Sequence, residues 1–274
     1  MLKQRLWTAA LLIPLVVLSI LYLPSPIFQY LVAGVVALAA IEWFTILGFV
    51  TRTKLILALV VLVISTAAVS LLPVGFYMKA TLIIWGLILF VVSKYAHRSL
   101  PAWIHASLMH AYIALGIASL VLALLWQSAI QLHQVHPLGP QQLLFVIVLV
   151  WLADTGGYFA GKKFGKTPLA KAISPNKTWE GVAGALVLGS IWTTMAYYMG
   201  ISGEVNFIQW LLLSVSTLLI SVVGDLFESL FKRCHKVKDS GNLLPGHGGI
   251  LDRIDSLIAA IPVFTAGLFL MGSI

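Results

Sequence analysis

Residues 143–160 read Leu-Leu-Phe-Val-Ile-Val-Leu-Val-Trp-Leu-Ala-Asp-Thr-Gly-Gly-Tyr-Phe-Ala, an apolar run whose one charge is Asp154. A helix rises about 1.5 Å per residue, so roughly 20 such residues cross the hydrocarbon of a bilayer. The pattern repeats on both sides of this stretch, at 6–23, 27–50, 55–72, 80–92, 106–126, 182–199, 208–223 and 254–271. The run at 80–92 is short from Ala80 and long enough if it starts nearer Phe76. Composition agrees: 60% of the 274 residues are hydrophobic and 9% charged, with mean hydropathy +1.01. A soluble domain carries about a quarter charged residues. The sequence therefore predicts an all-α, polytopic transmembrane bundle of about nine spanning helices, one domain over 1–274. The first run is longer than a signal-peptide core and is followed by Pro24-Ser25-Pro26 instead of a small-x-small cleavage site, so a retained helix is expected. Cys234, the one cysteine, excludes an internal disulfide.

Charge placement orients the bundle. With the N-terminus in the cytoplasm beside Lys3 and Arg5, every Lys and Arg except Lys79 falls on the cytoplasmic side. Two long loops there, 161–181 and 232–253, are strongly basic, whereas 127–142 holds no charged residue. The formal charge of +8 thus points to anionic substrates at the cytoplasmic face, not to nucleic acid.

Seven of the nine carboxylates, Asp154, Glu180, Asp225, Glu228, Asp239, Asp252 and Asp255, lie in or beside the same two loops. If 223–236 is helical, Asp225, Glu228, Ser229, Lys232 and Lys236 share one face. Asp252 and Asp255 repeat the i, i+3 spacing around Arg253, and Leu244-Pro-Gly-His-Gly-Gly249 lets the backbone fold closely between the two acid-bearing segments. Carboxylates meeting among Lys and Arg at a membrane surface suit Mg²⁺-nucleotide chemistry. Each acid taken singly reads as well as the partner of a neighbouring base.

Ser174-Pro-Asn-Lys-Thr-Trp-Glu-Gly181 reads as a turn and a helix start that cluster hydroxyl, amide and ammonium donors. Gly161-Lys-Lys-Phe-Gly165-Lys-Thr167 is no P-loop, since Ala160 stands where that motif needs glycine. Gly181, Ala185 and Gly189 form a helix-packing seam, and His105, His110, His133 and His136 read as interfacial or solvated. Glu42, inside the second run, is left open between a neutral acid, a paired one and one lining a cavity.

Ser229-x-x-Lys232-Arg233-x4-Lys238-Asp239 followed by Leu244-Pro-Gly-His-Gly-Gly249-x-x-Asp252-Arg253-x-Asp255 resembles the signature of the phosphatidate cytidylyltransferase (CDP-diacylglycerol synthase) family. Asp154-Thr-Gly-Gly-Tyr158 and Ser174-Pro-Asn-Lys-Thr-Trp179 resemble two further stretches of its bacterial members. The likeness covers a catalytic half over 141–274, while 1–140 carries little specific signal. It implies a bacterial inner-membrane enzyme whose active site faces the cytoplasm. It would join CTP to phosphatidic acid with Mg²⁺, release pyrophosphate and leave room for a second cation and an oligomer. It implies metal ligation by Asp225 and Asp252. Lys232, Arg233, Lys238 and Arg253 become candidates for phosphate contacts, and Asp154, Asp239, His247 and Asp255 orienting residues. Ser174, Asn176, Lys177 and Thr178 become candidates for CTP or the lipid phosphate. The rivals are a CTP-dependent kinase or cytidylyltransferase of another lipid and a transporter using Asp154 and Asp225; a CDP-alcohol phosphotransferase would need a DG-x2-AR motif, which is absent.

Overall fold

Prolines and capping side chains divide the chain into helices. The computed structural model describes residues 2–100, 108–135, 137–244, 246 and 248–274. In it α1 (Leu2–Tyr22) stops short of Pro24, the N-cap of α2 (Ser25–Ile46). Thr51 caps α3 (Arg52–Ser70) by accepting from Lys54 N, and Pro73 stands before α4 (Val74–Tyr95). α5 (Leu108–Val135) leads to α6 (Gly139–Phe164), whose Pro140 occupies a first-turn position where no N–H is needed. A hairpin of β1 (Pro168–Ala170) and β2 (Ser174–Thr178) follows. α7 (Trp179–Tyr198) is capped by Thr178, and α8 (Phe207–Cys234) by Asn206, which accepts from Gln209 N at 3.0 Å. The chain ends in α9 (Leu251–Ile254) and α10 (Leu257–Leu270).

Each of the nine expected runs falls on a helix, though the second helix ends at Ile46, short of Val50; the start of the fifth run at Ala106, with His105 and His136, lies outside the described residues. Among the described residues seven segments are long and apolar enough to cross a membrane: α2, α3, α4, α5 from Met109, α6, α8, and α9 with α10 together. α1 contributes the shorter apolar stretch Ala10–Tyr22, and glycines, hydroxyls and tyrosines dilute α7. Leu57, Val60, Val63 and Ile64 of α3 point outward and exposed, as a hydrocarbon solvent permits. The fourth helix begins at Val74, the longer of its two readings. Two expectations change. The last run is broken into α9 and α10. The segment 174–178 is a strand, not a simple turn, because the hairpin is held by tertiary bonds.

Hydrogen bonds sort the helix ends into two sets. At one end Ser25 Oγ and Ile20 O bond the His133 ring, which is stacked on Phe28 and buried instead of solvated, and Gln142 donates to Ile201 O. At the other, Ala172 N donates to Ala96 O, Arg233 Nε to Ile173 O, and Ile250 N to Glu42. Both basic loops therefore meet at this second end.

α8 is the organising helix. Phe227 and Phe231 pack edge-on against Trp43 of α2, and Phe227 against Trp85 of α4. That aromatic face turns Asp225, Glu228 and Lys232 to the opposite side. α6 and α7 approach through small residues: a Cβ on Gly156 would lie 2.5 Å from Gly184 O. Gly156→Ala is therefore expected to destabilise the bundle by about 1–3 kcal/mol. A thiol-reactive dye reporting exposure of the buried Cys234 during heating measures it; an unchanged midpoint would show the seam to be loose.

Candidate active site

The hairpin is tied down before it does anything else. Thr167 N and Oγ1 donate to Glu180, Trp179 N donates to Thr167 O, and the bonds to Ala96 and Arg233 fix its far end. β2 is thereby laid across the ends of α6, α7 and α8. Lys177 on this strand forms an ion pair with Asp225 Oδ2, and Ser229 Oγ donates to Asp225 Oδ1 at 3.2 Å. Burial alone would lower the Lys177 ammonium, but Asp225, then Asp255 and Asp154, more than offset this and hold its pKa above the ordinary lysine value. Asp154 also feels Arg253. A cavity of about 240 Å³ opens beside the pair, lined by Asp154, Tyr158, Asn176, Lys177, Thr178 and Val222 among others.

A second network lies one turn along α8. Lys232 Nζ pairs with Glu228 Oε2 at 2.5 Å and with Asp252 Oδ1 at 2.8 Å. Asp252 also accepts from Ser240 N on both oxygens and from Gly249 N at 2.9 Å. Glu228 is 1% exposed, and Lys232 is its one ion-pair partner among the described residues. Glu228 lies in the fields of both Asp225 and Asp252, and Asp255 in those of Asp225 and Glu228, so the two networks are continuous.

Five carboxylates, Asp154, Asp225, Glu228, Asp252 and Asp255, thus face three bases, Lys177, Lys232 and Arg253. The formal imbalance is two negative charges, which one divalent cation would neutralise. Among the described residues no three His, Cys, Asp or Glu side chains close around one point that could hold a metal ion. Mg²⁺ does not require such a cage, since it takes one or two carboxylates and completes its shell with water and phosphate oxygens. Asp225, half-buried and open toward Asp154 and Asp255, fits that donor set. Asp252 fits on exchanging the Lys232 ammonium for the metal, because three N–H bonds already occupy its other lone pairs.

The residues expected from sequence fall into three groups. Asp154, Lys177, Asp225, Lys232, Asp252, Arg253 and Asp255 are brought together. Asn176 and Thr178 line the cavity, and Ser174 starts the strand that carries them. Arg233 instead binds backbone, donating to Ile173 O and Val237 O, while Lys238 and Asp239 are exposed on the loop beside Ser240. His247 lies outside the described residues. The expected stripe on α8 is real through Lys232 but excludes Lys236. The helix ends at Cys234, and Lys236 is exposed with φ +58°. Sequence reasoning assigned no role to Glu42, which accepts from Ser240 Oγ, Ile250 N and Leu251 N. A lone acid in an apolar helix was the one available signal; its partners lie some 200 residues away.

The model of the Cytidylyltransferase family matches residues 3–271. A Pseudomonas aeruginosa protein named phosphatidate cytidylyltransferase is 39% identical over 273 residues, 99% of this chain and 98% of the relative. One of that name from Haemophilus influenzae is 51% identical over 126 residues, 45% of this chain and 44% of its own. A Bacillus subtilis protein, also so named, is 38% identical over 146 residues, 53% and 54% of the two chains.

Proposed function

The chain belongs to the cytidylyltransferase family, and from that premise we propose that the charged cluster at the hairpin end of its bundle is where CMP passes from CTP to phosphatidic acid. The products are CDP-diacylglycerol and pyrophosphate, and the role is phospholipid biosynthesis. The observation that carries the placement is the Lys177–Asp225 pair beside a cavity between α6, α7 and α8. The bundle is a multi-pass membrane protein; we place it in a bacterial inner membrane with this end in the cytoplasm, where CTP is found.

The phosphate of phosphatidic acid attacks the α-phosphorus of CTP, the bond from that phosphorus to the bridging oxygen breaks, and pyrophosphate leaves. A phosphomonoester has a second pKa of about 6, so the nucleophile is already largely dianionic and needs no general base. The residues hold two mutually repelling anions in line. Lys177 and Arg253 supply positive charge to phosphate oxygens, and Asn176 and Thr178 supply polar contacts at the cavity wall. Asp225 and Asp252 would hold Mg²⁺, which when bound neutralises charge on the triphosphate. Lys232 keeps Glu228 in place. The acyl chains remain among lipids.

Purified chain in detergent should release pyrophosphate from CTP only when phosphatidic acid is present, and chelation of divalent ions should reduce the rate at least about a hundredfold. Transfer of the γ-phosphoryl group to a polyprenyl alcohol, with release of CDP and no pyrophosphate, would assign the neighbouring lipid-kinase chemistry instead. Activity without a sealed compartment separates the reaction from transport.

A further inference from the structure

We propose that Glu42, which lies in α2 and outside every motif of the C-terminal half, positions the catalytic loop by capping α9 from across the bundle. It thereby fixes Asp252, Arg253 and Asp255. The role as stated rests on the reaction assigned above; the contacts behind it do not.

Glu42 is 9% exposed, and both of its oxygens are engaged. Oε2 accepts from Ser240 Oγ and from Leu251 N, each at 2.8 Å, and Oε1 accepts from Ile250 N at 3.0 Å. The first N–H groups of a helix have no partner within it. α9 supplies none of its own, because its N-cap, Ile250, has no capping side chain. A carboxylate here is favoured by charge-assisted hydrogen bonding, and it comes from another helix. The loop is shaped to admit it. A Cβ on Gly241 would sit 2.7 Å from Glu42 Oε1, and a Cβ on Gly249 would overlap both the Glu42 carboxylate and the Ser240 hydroxyl. Ser240 is the shared element: its hydroxyl donates to Glu42 and its N–H to Asp252. Glu42 and Asp252 thus grip one residue from opposite sides.

Removing the grip leaves the arrangement of Asp252, Arg253 and Asp255 as one conformer among several. Substrate must then select the competent one. Apparent affinity falls by the fraction competent, while turnover of the bound complex changes little. Glu42→Gln preserves size but turns an NH₂ group toward N–H and O–H donors, so at least one contact is lost.

The test uses full-length protein in detergent with phosphatidic acid. Glu42→Gln should raise the CTP KM about tenfold or more with kcat within about threefold. A simple loss of folded protein would lower the maximal rate at unchanged KM, and that result would overturn the proposal. Glu42→Gln with Ser240→Ala should raise KM no further than Glu42→Gln alone, since both act through one loop; multiplied effects would overturn it as well. Trypsin cleavage without substrates gives a readout independent of the chemistry. The exposed Lys236 and Lys238 should be cut about tenfold faster in Glu42→Gln, with cleavage at Lys166 unchanged. Equal rates would remove the grip. Faster cleavage in Glu42→Gln, when the parent itself releases no pyrophosphate, would uphold the grip and remove the reaction.

Discussion

Asp225→Asn is expected to lower the turnover of CTP by at least about 10²–10³-fold while leaving the bundle folded. The physical basis is the charge balance of the cluster. Asp225 is the carboxylate paired with Lys177, and it lies in the field of Asp154 and Asp255. The site holds two more carboxylates than bases, so replacing one carboxylate by an amide relieves crowding among the acids and should not unfold the chain. The same change removes the group that both orients Lys177 and would bind a divalent ion. Stability and activity should therefore part company, as they do where function keeps a site electrostatically strained. Label transfer from CTP and Cys234 reactivity on heating, measured on the same preparation, give the two readouts. Turnover within tenfold of the parent would remove Asp225 from the reaction.

Lys232→Met should do the reverse and act on stability first, by about 3–5 kcal/mol. Lys232 is 7% exposed and lies between Glu228 and Asp252. Taking the ammonium away leaves Glu228 as a buried carboxylate whose oxygens have no hydrogen-bond partner among the described residues. Asp252 fares better, because Ser240 N and Gly249 N still donate to it. The orphaned charge, not the lost packing, dominates. Glu228→Gln combined with Lys232→Met should accordingly melt well above Lys232→Met alone. A single variant that melts with the parent would show the pair to be solvated.

These contrasts follow what the sequence could and could not carry. Spans and the α8 stripe are local properties: a helical period places Asp225, Glu228, Ser229 and Lys232 on one face wherever the helix goes. The stripe failed at Lys236 because the backbone turns left-handed just past the helix end. The hairpin was missed for a different reason. Strands of three and five residues have no periodicity to read, and Pro168 and Pro175 argue only against helix. What makes 168–178 a hairpin is its bonding to Ala96, Arg233 and Glu180. The sequence also brought the acids and bases to one membrane face without saying which would pair. Lys177 with Asp225 and Lys232 with Asp252 are choices made by the fold. Glu42 marks the limit most clearly, since a buried acid announces that a partner exists and nothing nearby tells which.

The most direct measurement follows the two ends of the triphosphate. Purified chain is incubated in detergent with phosphatidic acid, Mg²⁺ and CTP carrying label on either the α- or the γ-phosphorus. Transfer of CMP moves the α label into the lipid extract and leaves the γ label in pyrophosphate. Appearance of the γ label in lipid, or of neither label there, would contradict nucleotidyl transfer at this site.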